Sequence, residues 1–273
     1  SHLDGATGWI LDSKFYDIYL GFYSYEAENV VIARNIYEDN VIYAIDPHDR
    51  SRNLIIANNI ARRSKHKHGI IISREVSDSF IFNNVTEQNN GSGIMIDRNS
   101  QNNIIANNIS QENGQDGLTF YESPNNISYK NLLVHNKNSG IRVRNSWNIK
   151  SVEDVVNYNK NSAVQLYSLY LTPARGATYR DLDLDPYVQK VGADFIRPEM
   201  VGNEESNFNL LAFDYIRIVS PQYYKSPRNI FAGEFKGADQ YFEGELFTNK
   251  SGIEMHSKKE GNQNLIRSSD EPR

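Results

Sequence analysis

The chain repeats itself every 23 to 25 residues, and this spacing constrains its fold more than any other feature. The segments Gly21-Phe22-Tyr23, Ala44-Ile45-Asp46, Gly69-Ile70-Ile71, Gly93-Ile94-Met95, Gly117-Leu118-Thr119, Gly140-Ile141-Arg142 and Ala163-Val164-Gln165 align. Subtracting their starting positions gives steps of 23, 25, 24, 24, 23 and 23 residues. A second apolar stretch follows in the first four units, and then an asparagine, at Asn35, Asn59, Asn84, Asn108 and, in the fifth unit, Asn131. Asparagine tolerates left-handed turns and hydrogen-bonds backbone as donor and acceptor, so stacked copies are expected to form an internal ladder at a bend. The units lack both a 3.6-residue period and the regular leucines of leucine-rich repeats. Short β-rich segments between Asn, Gly and Ser turns predict an all-β chain, a right-handed parallel β-helix.

Regular coils are expected over residues 4–171, irregular final coils and a cap over 172–248, and a mobile, charged tail over 249–273. The first unit starts without a cap or a signal peptide, so upstream coils and an export signal are expected to be missing. No apolar run approaches the ~20 residues of a membrane span. The absence of cysteine excludes disulfides, thiolate metal sites and a cysteine nucleophile. A net charge of −5 argues against nucleic acid, while an anionic ligand would need a local basic patch.

Strand alternation sorts the columns. Phe22, Ile45, Ile70, Ile94, Leu118, Ile141 and Val164 form one apolar column, and Ser24, Pro47, Ile72, Ile96, Phe120, Val143 and Leu166 another, so both should line the core. The columns between them should point outward. One carries Tyr23, Asp46, Ile71, Met95, Thr119, Arg142 and Gln165; the other carries Tyr25, His48, Ser73, Asp97, Tyr121 and Arg144, followed by Glu26, Asp49, Arg74, Arg98, Glu122 and Asn145 at the strand ends. Stacked at about 4.8 Å, such a ribbon is on the order of 30 Å long, enough for several sugar units. Its tyrosines, carboxylates and arginines predict a saccharide groove.

His48 and Arg74 fall on neighbouring coils. Removing a proton beside a sugar carboxylate needs a cation to stabilise the enolate-like anion, and arginine offers a bidentate fork. Histidine is the commonest base for such a step. Asp46 and Asp49 flank His48 and can orient its ring or bind a sugar hydroxyl; Asp49 can instead pair with Arg50, Arg74 or Arg98. The basic run 62–68, with Lys65 and Lys67, offers neighbouring carboxylate subsites or solvated loop charge. Metal binding by Asp46, His48 and Asp49 is disfavoured because no second histidine falls in register, and no cofactor is expected.

The stretch Ile45-Asp46-Pro47-His48-Asp49-Arg50-Ser51, followed by Lys67-His68-Gly69-Ile70-Ile71-Ile72-Ser73-Arg74-Glu75-Val76, resembles the periplasmic mannuronan C-5-epimerases of bacterial alginate biosynthesis. So do Ile96-Asp97-Arg98-Asn99-Ser100, Leu118-Thr119-Phe120-Tyr121-Glu122-Ser123 and Gly140-Ile141-Arg142-Val143-Arg144-Asn145-Ser146, and the similarity spans roughly residues 7–170. The resemblance implies a β-helical enzyme converting β-D-mannuronate to α-L-guluronate within the polymer. His48 is then the base, Arg74 neutralises the carboxylate, and water or Tyr43 reprotonates C5. It also implies a periplasmic location, no calcium requirement, and partners among the proteins that build and export alginate. The alternatives are a uronate lyase working by β-elimination and a non-catalytic polysaccharide-binding solenoid.

Overall fold

A computed structural model describes residues 2–169 and 189–227 together with the strands Ile230–Ala232, Ile253–His256 and Leu265–Ser268. Among the described residues there is no helix; almost all strands belong to three parallel sheets of ten, nine and nine strands. Each coil contributes one strand to each sheet, so the chain winds as a β-solenoid. In the first sheet Leu20–Tyr25, Tyr43–His48, Ile70–Ser73, Ile94–Asp97, Leu118–Tyr121 and Ile141–Arg144 lie side by side. Their register pairs Tyr25 with His48, His48 with Ser73, Ser73 with Asp97, Asp97 with Tyr121 and Tyr121 with Arg144. The column alignment read from the repeat is therefore the one found. Phe22, Ile45, Ile70, Ile94, Leu118 and Ile141 are all fully buried. The stretch expected as irregular final coils contributes Gly192–Ile196, Glu199–Val201, Ser206–Leu211 and Tyr215–Val219 to the same sheets. Residues 170–188 and 233–248 lie outside the described residues, as does most of 249–273, where Ile253–His256 pairs antiparallel with Leu265–Ser268.

The asparagine ladder forms, with one correction. Asn59 Nδ2 donates to the Ile32 carbonyl at 2.8 Å and to Asn84 Oδ1 at 3.0 Å; Asn84 repeats the pattern with Ile56 and Asn108. The left-handed conformation falls not on these asparagines but on the residue before each: Arg34, Asn58, Asn83, Asn107 and Lys130. The ladder residue turns inward and satisfies backbone groups that the bend would otherwise leave buried and unpaired. Its last rung is an acid, since Asp154 Oδ1 accepts from Asn131 Nδ2 at 3.0 Å. A second ladder, Asn89, Asn113, Asn136, Asn159 and Asn203, fills another bend.

The bends closing the six consecutive strands from Leu20–Tyr25 to Ile141–Arg144 each place a left-handed residue there: Glu26, Asp49, Arg74, Arg98, Glu122 and Asn145. This geometry swings the side chains that follow His48, Ser73 and Asp97 back along the sheet edge, where side chains from adjacent coils can meet.

Candidate active site

His48 ends its strand with its side chain 15% exposed, and its Nδ1 is hydrogen-bonded to Asp49 Oδ2. The other carboxylate oxygen of Asp49 lies 3.1 Å from Nε of Arg74, on the next coil. Tyr23, one coil earlier, donates to Asp49 Oδ2 at 3.4 Å, and its ring centroid is 5.5 Å from that of His48. Asp49 thus joins the imidazole to the guanidinium across the coil boundary.

A carboxylate accepting at Nδ1 fixes the tautomer with Nδ1–H donating, which makes Nε2 the basic nitrogen. Burial lowers the pKa of His48 below the ordinary histidine value, with the Asp49 hydrogen bond opposing it. At neutral pH the ring is therefore unprotonated and able to accept a proton.

Asp46 lies on the outward column, as expected, yet is only 3% exposed. Burial raises its pKa well above the carboxylate range, assisted by the charges of Asp97 and Asp49. Among the described residues the carboxylate hydrogen-bonded to His48 is Asp49, not Asp46. Asp97, two coils from His48 in the same column, is pushed up to about 6 by burial, against the hydrogen bond from Ser73 and the nearby Arg98. Asp46 and Asp97 each carry a buried Oδ1 with no hydrogen-bond partner among the described residues. Ile71 and Met95, expected to stand exposed among the tyrosines, are buried, so they belong to the floor of the groove.

Further along, Arg142 Nε lies 3.1 Å from buried Asp116 and its Nη1 donates to the Tyr121 hydroxyl at 3.1 Å. Arg144 donates to Glu122 at 2.7 Å and its guanidinium sits 3.7 Å from the Tyr121 ring centroid. Tyr25 borders the groove and contacts Arg50 at 3.4 Å. The basic run behaves differently. Arg62 and Arg63 are engaged by Glu38, Glu87 and Asp39, and Lys65 by Asp17 at 2.6 Å, while Lys67 is solvent-exposed. Arg62 ends a strand of the third sheet, and Arg63, Lys65 and Lys67 occupy the bend that leads into Ile70–Ser73, at the opposite end of the strands from His48.

His68 was read from the sequence only as the end of the basic run, with no place of its own. It is buried, its Nδ1 accepts the Ser92 N–H at 2.9 Å, and it stacks on Tyr43 with ring centroids 5.8 Å apart. Burial lowers its pKa to about 4, so it stays neutral, and burial pushes Tyr43 up to about 12. Asp116, which holds Arg142, was missed, and Glu122, which holds Arg144, was placed at its strand end without a role. Asp116 and His68 both stand just ahead of a strand-opening glycine, the one positional signal that could have found them.

Fold and site together define a class: parallel β-helices carrying a titratable groove along one sheet. The family described as "Periplasmic copper-binding protein (NosD)" matches residues 2–167, and the chain belongs to it. Within that class the chain is similar to mannuronan C5-epimerases. It is 65% identical over 117 residues to Mannuronan C5-epimerase AlgG of Azotobacter vinelandii, covering 43% of this chain and 22% of that protein. It is 48% identical over 117 residues to the Mannuronan C5-epimerase of Pseudomonas syringae pv. tomato, again covering 43% of this chain and 22% of the relative. The crystal structure of the periplasmic alginate epimerase AlgG superimposes with a TM-score of 0.65 at 43% identity, covering 82% of this chain and 51% of that one. The chain thus spans about half the length of the solved relative and less of the curated ones. The A-module of the Azotobacter vinelandii epimerase AlgE4 shares the fold, with a TM-score of 0.56 at 13% identity, covering 88% of this chain and 79% of that one.

The family description names copper, which the residues present do not fit. The chain has no cysteine and three methionines, and among the described residues no three His, Asp or Glu side chains converge to hold a metal ion. His48 and His68 stand at opposite ends of the strands of the first sheet.

Proposed function

We propose that the protein is a mannuronan C-5-epimerase, converting β-D-mannuronate to α-L-guluronate within alginate. The observation that carries this reading is the single carboxylate, Asp49, engaging both His48 and Arg74 on adjacent coils. His48 Nε2 removes the C5 proton while Asp49 holds Nδ1–H. Arg74 binds the carboxylate of the same sugar and stabilises the charge that develops on it as the C5–H bond breaks. A proton delivered to the opposite face of C5, by water or by Tyr43, completes the inversion. No metal enters the scheme.

Neighbouring sugars lie along the first sheet against Tyr23, Tyr25, Asp97, Arg98, Tyr121, Arg142 and Arg144, with Lys65 and Lys67 beyond the far rim. Asp46, whose carboxyl burial shifts toward the protonated form, lines the floor of this site. The name of the solved relative, a periplasmic alginate epimerase, supports a periplasmic location; partners among the proteins that build and export alginate belong to the same reading. The test is incubation with polymannuronate in deuterium oxide. New guluronate resonances with deuterium at C5 are expected. Unsaturated ends absorbing in the ultraviolet would replace the reading with β-elimination, and an unchanged polymer would replace it with binding alone.

A further inference from the structure

The carboxylate that joins His48 to Arg74 has a third partner. Tyr23, on the coil before His48, donates its hydroxyl to Asp49 Oδ2 at 3.4 Å, the same oxygen that holds His48 Nδ1. Asp49 Oδ1 faces Arg74 Nε at 3.1 Å. Three consecutive coils therefore converge on one carboxylate. The register pairs Tyr25, not Tyr23, with His48, and Tyr25 turns instead to Arg50. Tyr23 stands two residues further back, opposite Asp46, and the left-handed bend at Asp49 folds the carboxylate back to meet its hydroxyl. Its ring also packs against the imidazole, with centroids 5.5 Å apart and planes 32° from parallel.

These contacts give the phenol two separable effects on the imidazole. The ring covers one face and resists rotation about the Cβ–Cγ bond, so Nε2 keeps its direction while Nδ1–H stays on Asp49. The hydroxyl competes with Nδ1–H for Oδ2. A carboxylate oxygen that already accepts from a phenol is a weaker acceptor for an imidazolium, so the hydroxyl lowers the affinity of His48 for a proton. Burial acts in the same direction; of the charges facing the ring, Asp49 raises that affinity, and Arg74 and Arg98 from the following coils lower it.

We propose that Tyr23 is a positioning residue for His48, trimming its basicity through Asp49 and fixing the direction of Nε2 through its ring. The catalytic consequence rests on the epimerase reading; the effect on the imidazole does not.

Titration of the imidazole by nuclear magnetic resonance, with the His48 signal of the full chain assigned by its loss in His48→Ala, keeps the two apart. Tyr23→Phe retains the ring and removes the hydroxyl. The His48 midpoint should rise by about half a pH unit, and the acid limb of turnover on polymannuronate should move up with it. In an Asp49→Asn background the same substitution should move the midpoint far less, because the carboxylate through which the hydroxyl acts is gone. Tyr23→Leu removes the ring as well and should lose about tenfold in kcat relative to Tyr23→Phe, with an unchanged circular dichroism spectrum. A Tyr23→Phe midpoint that stays put or falls overturns the proposal. So does an equal shift with and without the Asp49 carboxylate, or a Tyr23→Leu enzyme as fast as Tyr23→Phe. If the parent itself leaves polymannuronate unchanged, the epimerase reading fails, and the titration still decides whether Tyr23 tunes His48.

Discussion

Asp49 Oδ1 lies 3.1 Å from Arg74 Nε across a coil boundary, while its other oxygen is bound to the imidazole of His48. The residue is left-handed, as is Arg74, so the bend itself brings the two side chains together. One carboxylate therefore controls the tautomer of the base and the position of the cation.

Replacing Asp49 by asparagine keeps the volume but removes the charge and lets the amide present either a donor or an acceptor to Nδ1. Turnover of polymannuronate is expected to fall by about a hundredfold or more, with far-ultraviolet circular dichroism unchanged. His48→Ala should do at least as much. An Asp49→Asn variant with near-normal kcat would remove the carboxylate from the mechanism.

The acid limb of the pH–rate profile should report His48. The base works only when unprotonated, and burial holds its pKa below the ordinary histidine value. Activity should therefore persist through mildly acidic pH and fall only below the usual histidine range. Because the Asp49 hydrogen bond raises this pKa, residual activity in Asp49→Asn should persist to still lower pH. A limb well above the ordinary histidine value would assign the base to another group.

Asp97 and Asp116 give stability an opposite pH dependence from the common carboxylate case. Burial raises both from 3.8 to about 6, so the folded state holds protons that the unfolded chain has released. Their contribution is fully present below about pH 4 and is lost as pH rises through about 6, by roughly 2–3 kcal/mol per group. Asp97→Asn removes one such group. Its melting temperature relative to the parent should shift in the variant's favour between pH 4 and pH 7; a difference flat with pH would show that Asp97 does not titrate as assigned.

The inner ladder makes a prediction on folding alone. Asn84→Ala deletes the acceptor of the Asn59 backbone N–H and the donor to the Ile56 carbonyl, both buried. A loss of about 2–4 kcal/mol in denaturant-unfolding free energy is expected. Asn83→Ala, one residue away and exposed, gives up only the ease with which asparagine adopts the left-handed bend, and should cost far less.

Much of this was legible because the solenoid is nearly one-dimensional. Register between coils follows from repeat spacing, so the pairing of His48 with Ser73 and of Tyr121 with Arg144 could be read by counting. The asparagine ladder was legible for the same reason. The left-handed residue was assigned one position too late, because the inward turn of the ladder side chain depends on backbone geometry that composition does not encode.

By itself the sequence determined the fold, the two core columns and the set of side chains along one ribbon, since each follows from a period of two within strands and about 24 between coils. Tertiary structure alone decided that Asp49 rather than Asp46 reaches His48, that Asp46 and Asp97 are buried deeply enough to favour protons, and that the cations of the basic run are largely engaged by acids of other coils. The reason is physical. Spacing fixes which Cα atoms are neighbours, but side-chain direction at a left-handed bend and the depth of desolvation depend on the three-dimensional path of the chain.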